Sequence, residues 1–472
     1  MSIPEVGPTT RFGRLERRGV LLGLSGVQLT VVGAALLVAV VGVYSAGVTG
    51  LVLSAPVWVV LLAAGTGNVG GRPVVGWLPL LAQWHARKAA GRTSAATSAR
   101  PVLPGERFGL PGLPGELELV DCAALGGTLI VDRRTATVTG VLRVDGTGFL
   151  LADASAQEHK VTSWGRALAG ICQQSAVLRV QVLARIRPGG LAPARLWWRE
   201  HCAAESSGLV AALAGMLDEG FVVPHLRETF VAVAVRAPHG RRRMSAADLA
   251  LVAKHLGSFA AAVESADLAG HAWLDGEGLA RALRAGYEPA AAGRAEDGPT
   301  TLTSPTGVQE RWQWLASGSS AHATYWISEW PRSEVHPAFL QPLLLGEATD
   351  RTVTLIAEPL ATGKALREIR RAKVEHVADA AQRARIGQIE NEATRAEVAD
   401  LERREAELVA GHGDLRFTGL VTVSADSPAE LEQCCAAMET AAAQAMCEVH
   451  RLVGQQGVAH AAACLPLARG VL

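Results

Sequence analysis

The chain has 472 residues and balances 45 Lys and Arg against 45 Asp and Glu, so its net charge is zero. This balance argues against a protein that coats nucleic acid through a basic surface. Charged residues make up 19% of the chain and hydrophobic residues 49%, which excludes intrinsic disorder as its main state. The length predicts about three domains.

The first feature along the chain is a run of 53 residues, Gly19–Gly71, without any Asp, Glu, Lys or Arg. A bilayer core about 30 Å thick needs about 20 helical residues, so the run is long enough for two spans and a short turn. We predict spans at about residues 21–44 and 51–66. The turn is expected at residues 45–50, where two glycines and two hydroxyl side chains interrupt the apolar sequence.

Basic residues flank this run on both sides. They are Arg11, Arg14, Arg17 and Arg18 before it, and Arg72, Arg87, Lys88, Arg92 and Arg100 after it. The positive-inside rule places both flanks in the cytoplasm, which predicts a two-span protein of the inner (cytoplasmic) membrane with both termini cytoplasmic. A signal peptide and a buried core hairpin are the alternatives. The run is too long for the first and too poor in charge for the second.

Residues 73–88, after the second predicted span, combine two tryptophans, several leucines and a basic end. This composition is typical of a segment that lies among lipid headgroups, and the alternative is the end of the second membrane helix. We therefore predict a membrane-interface site. Its residues are Arg17, Arg18, Arg72, Trp77, Trp84, Arg87 and Lys88.

The rest of the chain is divided by two stretches of linker composition. Residues 89–116 contain four prolines with Gly, Ser and Thr, and residues 290–306 are rich in Ala, Gly, Pro, Thr and Ser. We expect a membrane hairpin with its interfacial segment over residues 1–88, a first cytoplasmic domain over 117–289 and a second over 307–472.

The first cytoplasmic domain mixes strands and helices. In chain order we predict strands at 127–133 and 135–144, a helix at 156–173, a strand at 176–187, helices at 191–204 and 209–219, a strand at 229–236, and helices at 246–266 and 276–285. Alternating β-branched and polar residues indicate the strands, and apolar residues at helical spacing indicate the helices. Asp153, Ser245 and Asp275 are the expected N-caps.

The second cytoplasmic domain is also mixed. We predict strands at 322–330, 352–358, 415–425 and 447–452, and helices at 337–345, 364–410 and 427–446. Residues 364–410 form either one solvated helix or a helical hairpin with a break at Gly387. Strands that alternate with single helices predict α+β domains with mixed or antiparallel sheets and packed helices. No repeat of solenoid period is visible.

No motif in the sequence indicates a catalytic or cofactor site. A Walker A loop is excluded at Gly363-Lys364, because Glu358 replaces its first glycine and Ala365 its hydroxyl residue. The seven cysteines show no C-x-x-C spacing and no H-E-x-x-H sequence occurs, so no zinc site is indicated. We predict reduced, mostly buried cysteines, no catalytic residue, no cofactor and no metal, and hence no enzyme.

Two clusters could contact a ligand. The basic turn Pro238–Arg243 could touch phosphate or lipid headgroups, with a solvated loop as the alternative. In the aromatic strand, alternation places His322, Thr324, Trp326, Ser328 and Trp330 on one face, and Tyr325, Ile327 and Glu329 on the other. We interpret this strand as core or interface, with a ligand platform as the alternative.

Three parts of the chain resemble a known family. They are Trp77 to Trp84 with the basic tail after the two spans; Val131 to Val144 with Gly148-Phe149 and Trp164-Gly165; and Phe417-Thr418-Gly419, Glu430-Leu431-Glu432, Gly454-Gln455-Gln456 and Leu465 to Gly470 at the carboxyl end. Together they resemble the two-span integral membrane proteins of actinobacteria associated with conjugation-type secretion loci. The spans resemble the PrgI-type membrane subunit. The carboxyl end is similar to the region before the P-loop domain of conjugative and type IV secretion ATPases.

The resemblance implies a non-enzymatic inner-membrane scaffold of a type IV or conjugation-like secretion or transfer apparatus. It implies a separate P-loop ATPase as partner, with other apparatus subunits and the lipid bilayer, in an oligomeric complex and without direct nucleic-acid binding. A type VII secretion component of the EccE kind, which also has two amino-terminal spans, is the second interpretation. A membrane-anchored enzyme with an unrecognised site is the third.

Overall fold

The chain consists of two compact units. The amino-terminal unit comprises residues 14–94 and 453–455, and the second unit, called the body below, comprises residues 1–13, 95–452 and 456–472. The computed structural model describes residues 9, 12, 26–69, 72–96, 105–145, 148–188, 197–198, 200–202, 208–219, 225–240, 244–265, 271–289, 307–346, 349–386 and 392–470. Within them the chain is a mixture of helices and antiparallel strands, which confirms the predicted α+β class.

The described helices and strands are numbered in chain order. The helices are α1 (Gly26–Thr66), α2 (Val74–Ala89), α3 (Ala154–Cys172), α4 (Gly208–Glu219), α5 (Ala246–Ser265), α6 (Gly276–Tyr287), α7 (Gln341–Leu345), α8 (Thr362–Ile386), α9 (Glu392–Val409), α10 (Pro428–Gln444) and α11 (Gln456–Cys464). The strands are β1 (Asn68–Val69), β2 (Arg72–Pro73), β3 (Ser94–Ala96), β4 (Arg107–Gly109), β5 (Glu116–Cys122), β6 (Gly127–Asp132), β7 (Thr137–Val144), β8 (Val177–Pro188), β9 (His225–Arg236), β10 (His271–Trp273), β11 (Gly307–Glu310), β12 (Leu315–Ser317), β13 (Ser320–Glu329), β14 (Asp350–Leu360), β15 (Asp414–Ala425) and β16 (Glu448–Arg451).

The long helix α1 is interrupted near its middle. Ala46 and Gly47 leave the helical conformation, and Gly47 takes a φ of 61°, which glycine adopts at little cost. The side-chain amide of Gln28 donates a hydrogen bond of 3.0 Å to the carbonyl oxygen of Gly65. In a straight helix these two residues would be about 55 Å apart. The chain of α1 therefore folds back on itself, and Ala46 and Gly47 are its non-helical residues.

The strands β3 to β16 form one 14-stranded sheet. Its order is β3-β11-β12-β13-β15-β14-β8-β9-β7-β6-β5-β4, with β10 beside β7 and β16 beside β13. The sheet passes from the first predicted cytoplasmic domain to the second through the antiparallel pair β8–β14. This pair extends over seven residues of each strand, from Arg351 opposite Ile186 to Ala357 opposite Val180.

The two halves of the sheet share one topology. The order β5-β6-β7-β9-β8 in the first half matches β11-β12-β13-β15-β14 in the second, and β10 joins β7 as β16 joins β13. Helices follow at equivalent points: α5 and α10 after the fifth strand, and α6 and α11 after the sixth. The body is therefore a tandem duplication whose halves meet antiparallel at β8 and β14. This duplication was not predicted, because it has no solenoid period.

Helices cover both faces of the sheet. On one face Val252 and Leu256 of α5 are fully buried in a cluster with Val138 of β7. On the other face Leu283 of α6 is buried in a cluster with Val141 of the same strand, and α11 contributes to that cluster too. Successive side chains of a strand point to opposite faces, so β7 supplies both cores.

Most predicted helices of the body are confirmed, and so are their caps. The carboxylates of Asp153 and Asp275 accept hydrogen bonds from the third amide that follows each of them. The Asp248 amide donates to the Ser245 hydroxyl at 3.2 Å. The segment at 364–410 is a hairpin, because α8 and α9 pack against each other through one apolar cluster.

Other parts of the body differ from the predictions. The end of the predicted linker at 89–116 is folded: β4 pairs with β5, and Phe108 and Leu110 are buried. The residues after 455 form the buried helix α11, which was not predicted. The predicted loop at 290–306, and most of the predicted helix at 191–204, lie outside the described residues.

Candidate membrane anchor and interaction surfaces

Among the residues that the structure describes, two helices, α1 and α5, are long and apolar enough to cross a membrane. The two helices differ in burial. In the most apolar stretch of each helix, 39% of the residues are buried in α5 and only 11% in α1. The exposed apolar side chains of α1 include Val27, Leu36, Leu37, Val40, Val41, Val43, Tyr44, Val48, Val52, Leu53, Val57, Val59 and Val60. Large exposed apolar patches mark surfaces that contact membranes or other proteins. α5 is thus largely covered by the core of the body, whereas most of the apolar surface of α1 is exposed.

The two halves of α1 are in backbone contact beside the reversal. A methyl group on Gly50 would lie 2.0 Å from the carbonyl oxygen of Gly42. A methyl group on Gly42 would lie 2.5 Å from the Ser54 hydroxyl. A methyl group added to Gly33, by contrast, would have no atom within 4 Å. Gly42 and Gly50 are therefore the residues that let the halves of α1 approach closely.

The structure describes some of the residues predicted at the membrane interface. Arg17 and Arg18 lie outside the described residues, as does the side chain of Arg72. The backbone of Arg72 pairs with Val69 in the short hairpin of β1 and β2. Lys88 is exposed in the last turn of α2, where a cation complements the helix dipole.

The predicted interfacial segment forms a helix, α2, that is separate from α1. One of its indoles is buried, and other apolar side chains are exposed. Trp84 is only 8% exposed, and the Arg87 guanidinium lies 5.7 Å from the centre of its ring. Trp77 is half-buried. Leu78 is 65% exposed and Leu81 38%. Leucines rather than the buried Trp84 therefore supply the apolar surface of α2.

A pocket of three aromatic side chains in the body holds the ring of Phe12. Phe12 stacks on Trp330 with ring centres 5.0 Å apart and planes at 23°. It meets Phe339 and Phe417 edge to face at 5.2 and 5.9 Å. Such geometries are the favourable ones for aromatic pairs. Phe12, which precedes α1 in the chain, is therefore packed into the body.

Trp330 reaches this pocket because the strand β13 is irregular at its end. The pairing of β13 with β16 shifts register between Ile327 and Glu329. As a result Trp330 packs with the cluster of Tyr325 and Ile327, and its predicted placement on the face of His322 is wrong. The indole also needs Gly419 beside it, where a methyl group would lie 2.6 Å from its ring.

The helices α8 and α9, called the arm below, form a hairpin in which the two helices have net charges of opposite sign. α8 contains seven basic and three acidic residues, and α9 six acidic and three basic. Lys373 of α8 pairs with Glu405 of α9, and Ile369 is buried in one cluster with Leu401. On the outer surface Val374 and Val377 are 68% and 70% exposed. The arm thus offers a charged surface with an apolar centre.

A buried polar cluster contains His322 of β13 and His460 of α11. The ring centres of His322 and His460 are 4.5 Å apart, and both residues are fully buried. His322 Nε2 donates to the carbonyl oxygen of Tyr287 at 2.9 Å, which leaves Nδ1 to accept from the Ser424 hydroxyl at 2.7 Å. Burial lowers the pKa of His322 to about 4 and the pKa of His460 well below its ordinary value. Both imidazoles are neutral parts of the core.

Arg185 and Gln181 tie the carboxyl-terminal helix to the first half of the body. Arg185 Nη2 donates to the carbonyl oxygens of Ala282 in α6 and Cys464 in α11, each at 3.0 Å. The Gln181 amide donates to the carbonyl oxygens of Ala462 and Leu465. Burial lowers the pKa of Arg185, and the nearby Glu228 carboxylate opposes that shift. The bonds to Ala462, Cys464 and Leu465 cross the boundary between the duplicated halves.

The cysteines follow the prediction that they are free and mostly buried. Six of the seven are buried, and Cys202 is half-buried. Burial raises the pKa of the Cys172 and Cys447 thiols to about 11, which makes them poor nucleophiles. In the part of the chain that the structure describes, no group of three or more His, Cys, Asp or Glu side chains could hold a metal ion.

The fold and its surfaces define a class of protein: a duplicated antiparallel α+β body in one chain with a long, apolar and exposed amino-terminal helix. A scan against protein-family models and a search of curated proteins each find no match to this sequence.

Proposed function

We propose that this chain is a non-enzymatic inner-membrane scaffold component of a type IV or conjugation-like secretion or transfer apparatus, and that it docks a separate P-loop ATPase. The observation that carries the proposal is that one chain combines an apolar, exposed α1 with a charged helical arm. The first suits an anchor and the second suits a docking element. The resemblance of stretches within residues 127–166 and 415–470 to the actinobacterial family supports the choice of apparatus.

In this proposal α1 crosses the membrane twice as a helical hairpin. The reversal at Ala46 and Gly47 leaves about 20 residues on each side, the length that a bilayer core requires. Close contact at Gly42 and Gly50 is supporting evidence, because small residues let membrane helices pack. The hydrogen bond of Gln28 satisfies a polar side chain that lipid could not solvate.

Both termini are proposed to be cytoplasmic. Phe12 precedes α1 and stacks on Trp330 of the body, which follows α1 in the chain. Two ends of a membrane element that reach one folded body lie on the same side of the bilayer, which requires an even number of crossings. The basic flanks then favour the cytoplasmic side.

The arm is the proposed docking element for the ATPase. Its outer surface carries exposed Arg367 and Arg371 near exposed Val374 and Val377. Arginines around an apolar centre are typical of protein interfaces, since the apolar groups supply burial and the charges select the partner.

The test is co-purification of the full-length chain from native membranes in mild detergent. We expect a P-loop ATPase to accompany the wild type, and about tenfold less of it to accompany the arm variant Arg367→Glu with Arg371→Glu. The matched control reverses two exposed cations of the body helices, Lys254→Glu with Arg281→Glu, and should keep the ATPase.

Three outcomes would contradict the proposal. They are a wild type without any ATPase, an arm variant that binds as well as the control, and a complex with small paired helical substrates and an ATPase of several motor domains. The last outcome would favour the type VII interpretation instead.

A further inference from the structure

The helix α4 is apolar over most of its length and yet is not part of the core. Its first ten residues, 208–217, contain no charged side chain, and none of them is buried. Leu209, Leu213 and Met216 are 73%, 40% and 58% exposed. Their spacing of four and three residues places them on one helix face.

Such a helix is normally covered. α5 also contains many apolar residues, but its Val252 and Leu256 are buried against the sheet. Helices that are apolar on all sides occur in protein cores or in membranes. Ten residues extend about 15 Å, which is too short to cross a bilayer but long enough to lie in one leaflet.

We infer that α4 inserts its apolar face into the surface of the bilayer that anchors this chain. The absence of charge over residues 208–217 favours lipid, because protein interfaces usually carry a polar rim. Trp197 is 59% exposed and stacks on His201 at 4.7 Å, and tryptophan is enriched where membranes meet water. Anchoring also keeps α4 at a high local concentration near lipid. The inference thus rests on the proposed membrane anchor.

The duplication gives this inference a structural context. α4 belongs to the connection between β8 and β9, and the arm belongs to the equivalent connection between β14 and β15. One copy of the connection contains the apolar residues 208–217 and the other contains the charged arm. The duplicated fold therefore presents one element suited to lipid and one suited to a protein at matching positions in its topology.

The test is depth-dependent fluorescence quenching on the full-length chain in liposomes of phosphatidylethanolamine and phosphatidylglycerol. In a Cys202→Ser background, a nitrobenzoxadiazole label is attached to Leu213→Cys in α4, to Val377→Cys in the arm, or to Leu53→Cys in α1. The unsubstituted Cys202→Ser protein corrects for labelling of the buried thiols. Doxyl lipids carry the quencher either near the headgroup or at the middle of the acyl chain.

We expect the label at residue 213 to lose about half of its fluorescence to the shallow quencher, as for a helix in the headgroup boundary. The label at residue 377, an apolar position that is more exposed than residue 213, should lose none. The label at residue 53 should respond most to the deep quencher, which establishes the anchor independently.

Each other outcome overturns the inference. If lipid quenches the label at residue 53 while the label at residue 213 emits as it does in water, α4 does not contact the bilayer. If the label at 213 emits as in an apolar environment but no lipid quenches it, a second copy or another protein covers α4. If residue 53 is not quenched, the proposed anchor itself fails, and the inference fails with it.

Discussion

Gly42 and Gly50 bring the two halves of α1 into backbone contact, and neither position has room for a methyl group. His322 and His460 place two neutral imidazoles in the core of the body, where burial opposes their protonation. In both pairs the surrounding residues determine what each position tolerates: no added methyl group at the glycines and no added proton at the histidines. Single substitutions at these positions are therefore expected to change stability. The sequence indicated neither pair, because each depends on contacts between distant segments.

Gly50→Ala is expected to separate the halves of α1. The added methyl group would lie 2.0 Å from the carbonyl oxygen of Gly42, and backbone cannot move aside as a side chain can. We expect a loss of about 1–3 kcal/mol, the usual cost of overpacking, measured as a lower midpoint of thermal aggregation in detergent. Gly33→Ala adds the same group in open space and is the control. Equal midpoints for the two variants would contradict the contact.

The stability of the body is expected to fall as the pH drops below about 6.5. The pKa of His322 is lowered to about 4 in the folded chain, and the pKa of His460 is lowered as well. The unfolded chain has ordinary histidine pKa values near 6.5, so below that pH it binds protons that the folded chain does not bind. Each imidazole contributes a loss of about 1.4 kcal/mol per pH unit between the unfolded and the folded pKa.

Urea unfolding of residues 95–472 between pH 7.5 and 5 measures this loss. His460→Leu removes one of the two buried imidazoles, so the stability of this variant should depend less steeply on pH than that of the wild type. Carboxyl groups titrate in both proteins and cancel in the comparison. His159→Leu changes an exposed histidine and keeps the buried pair, so it should follow the wild type. Parallel curves for all three proteins would contradict the assignment.

At the scale of elements, the arm shows why α8 and α9 form a hairpin. The helices have opposite net charge, and Ile369 and Ala372 share a buried cluster with Leu401 and Leu408. The sequence predicted helix over these residues but left one helix or two open, because the periodicity of a single helix does not identify its partner.

Local periodicity accounts for the other predictions at this scale. It predicted β7, β14, β15, α5 and α10, each of which alternates or repeats apolar residues along one face. It missed β11 and β12, which have four and three residues. It also missed α11, which is buried at eight of its nine residues and therefore shows no polar face.

Leu401→Ala is expected to open the arm while the sheet remains intact. Leu401 is 5% exposed, and removal of a buried leucine side chain costs about 2–5 kcal/mol. Amide hydrogen exchange in α8 and α9 should become at least about tenfold faster, whereas exchange in β14 and β15 should not change. Val409→Ala, at a position 76% exposed, is the control. Uniform acceleration across the body would show that the arm does not open independently.

For the whole molecule, the main feature is that one sheet joins two copies of the same topology. Its central pair, β8 with β14, brings together Val180 and Ala357, which are far apart in sequence. The sequence supports the expectation of two α+β regions but not their joint sheet, since strand pairing over such distances leaves no local pattern. The α1 helix was predictable from the charge-free run, whereas the pocket around Phe12 was not.

Separated halves of the body are therefore not expected to fold alone. Residues 105–289 would lose the β8–β14 pairing and the hydrogen bonds of Gln181 and Arg185, and residues 307–472 would lose the same contacts from the other side. Size-exclusion chromatography should show aggregated halves, and a folded monomer with one cooperative transition for residues 95–472. A monomeric, folded half would contradict the shared sheet as the unit of stability.

The central claim, that the arm of an anchored scaffold docks a P-loop ATPase, is tested most directly by photo-cross-linking in native membranes. A photoreactive amino acid replaces Val377 in the arm, or Leu251, a 47% exposed residue of α5, as the control. We predict that residue 377 cross-links to a chain with a P-loop and that residue 251 does not. Products from residue 377 that contain only lipid or a second copy of this chain would contradict the account.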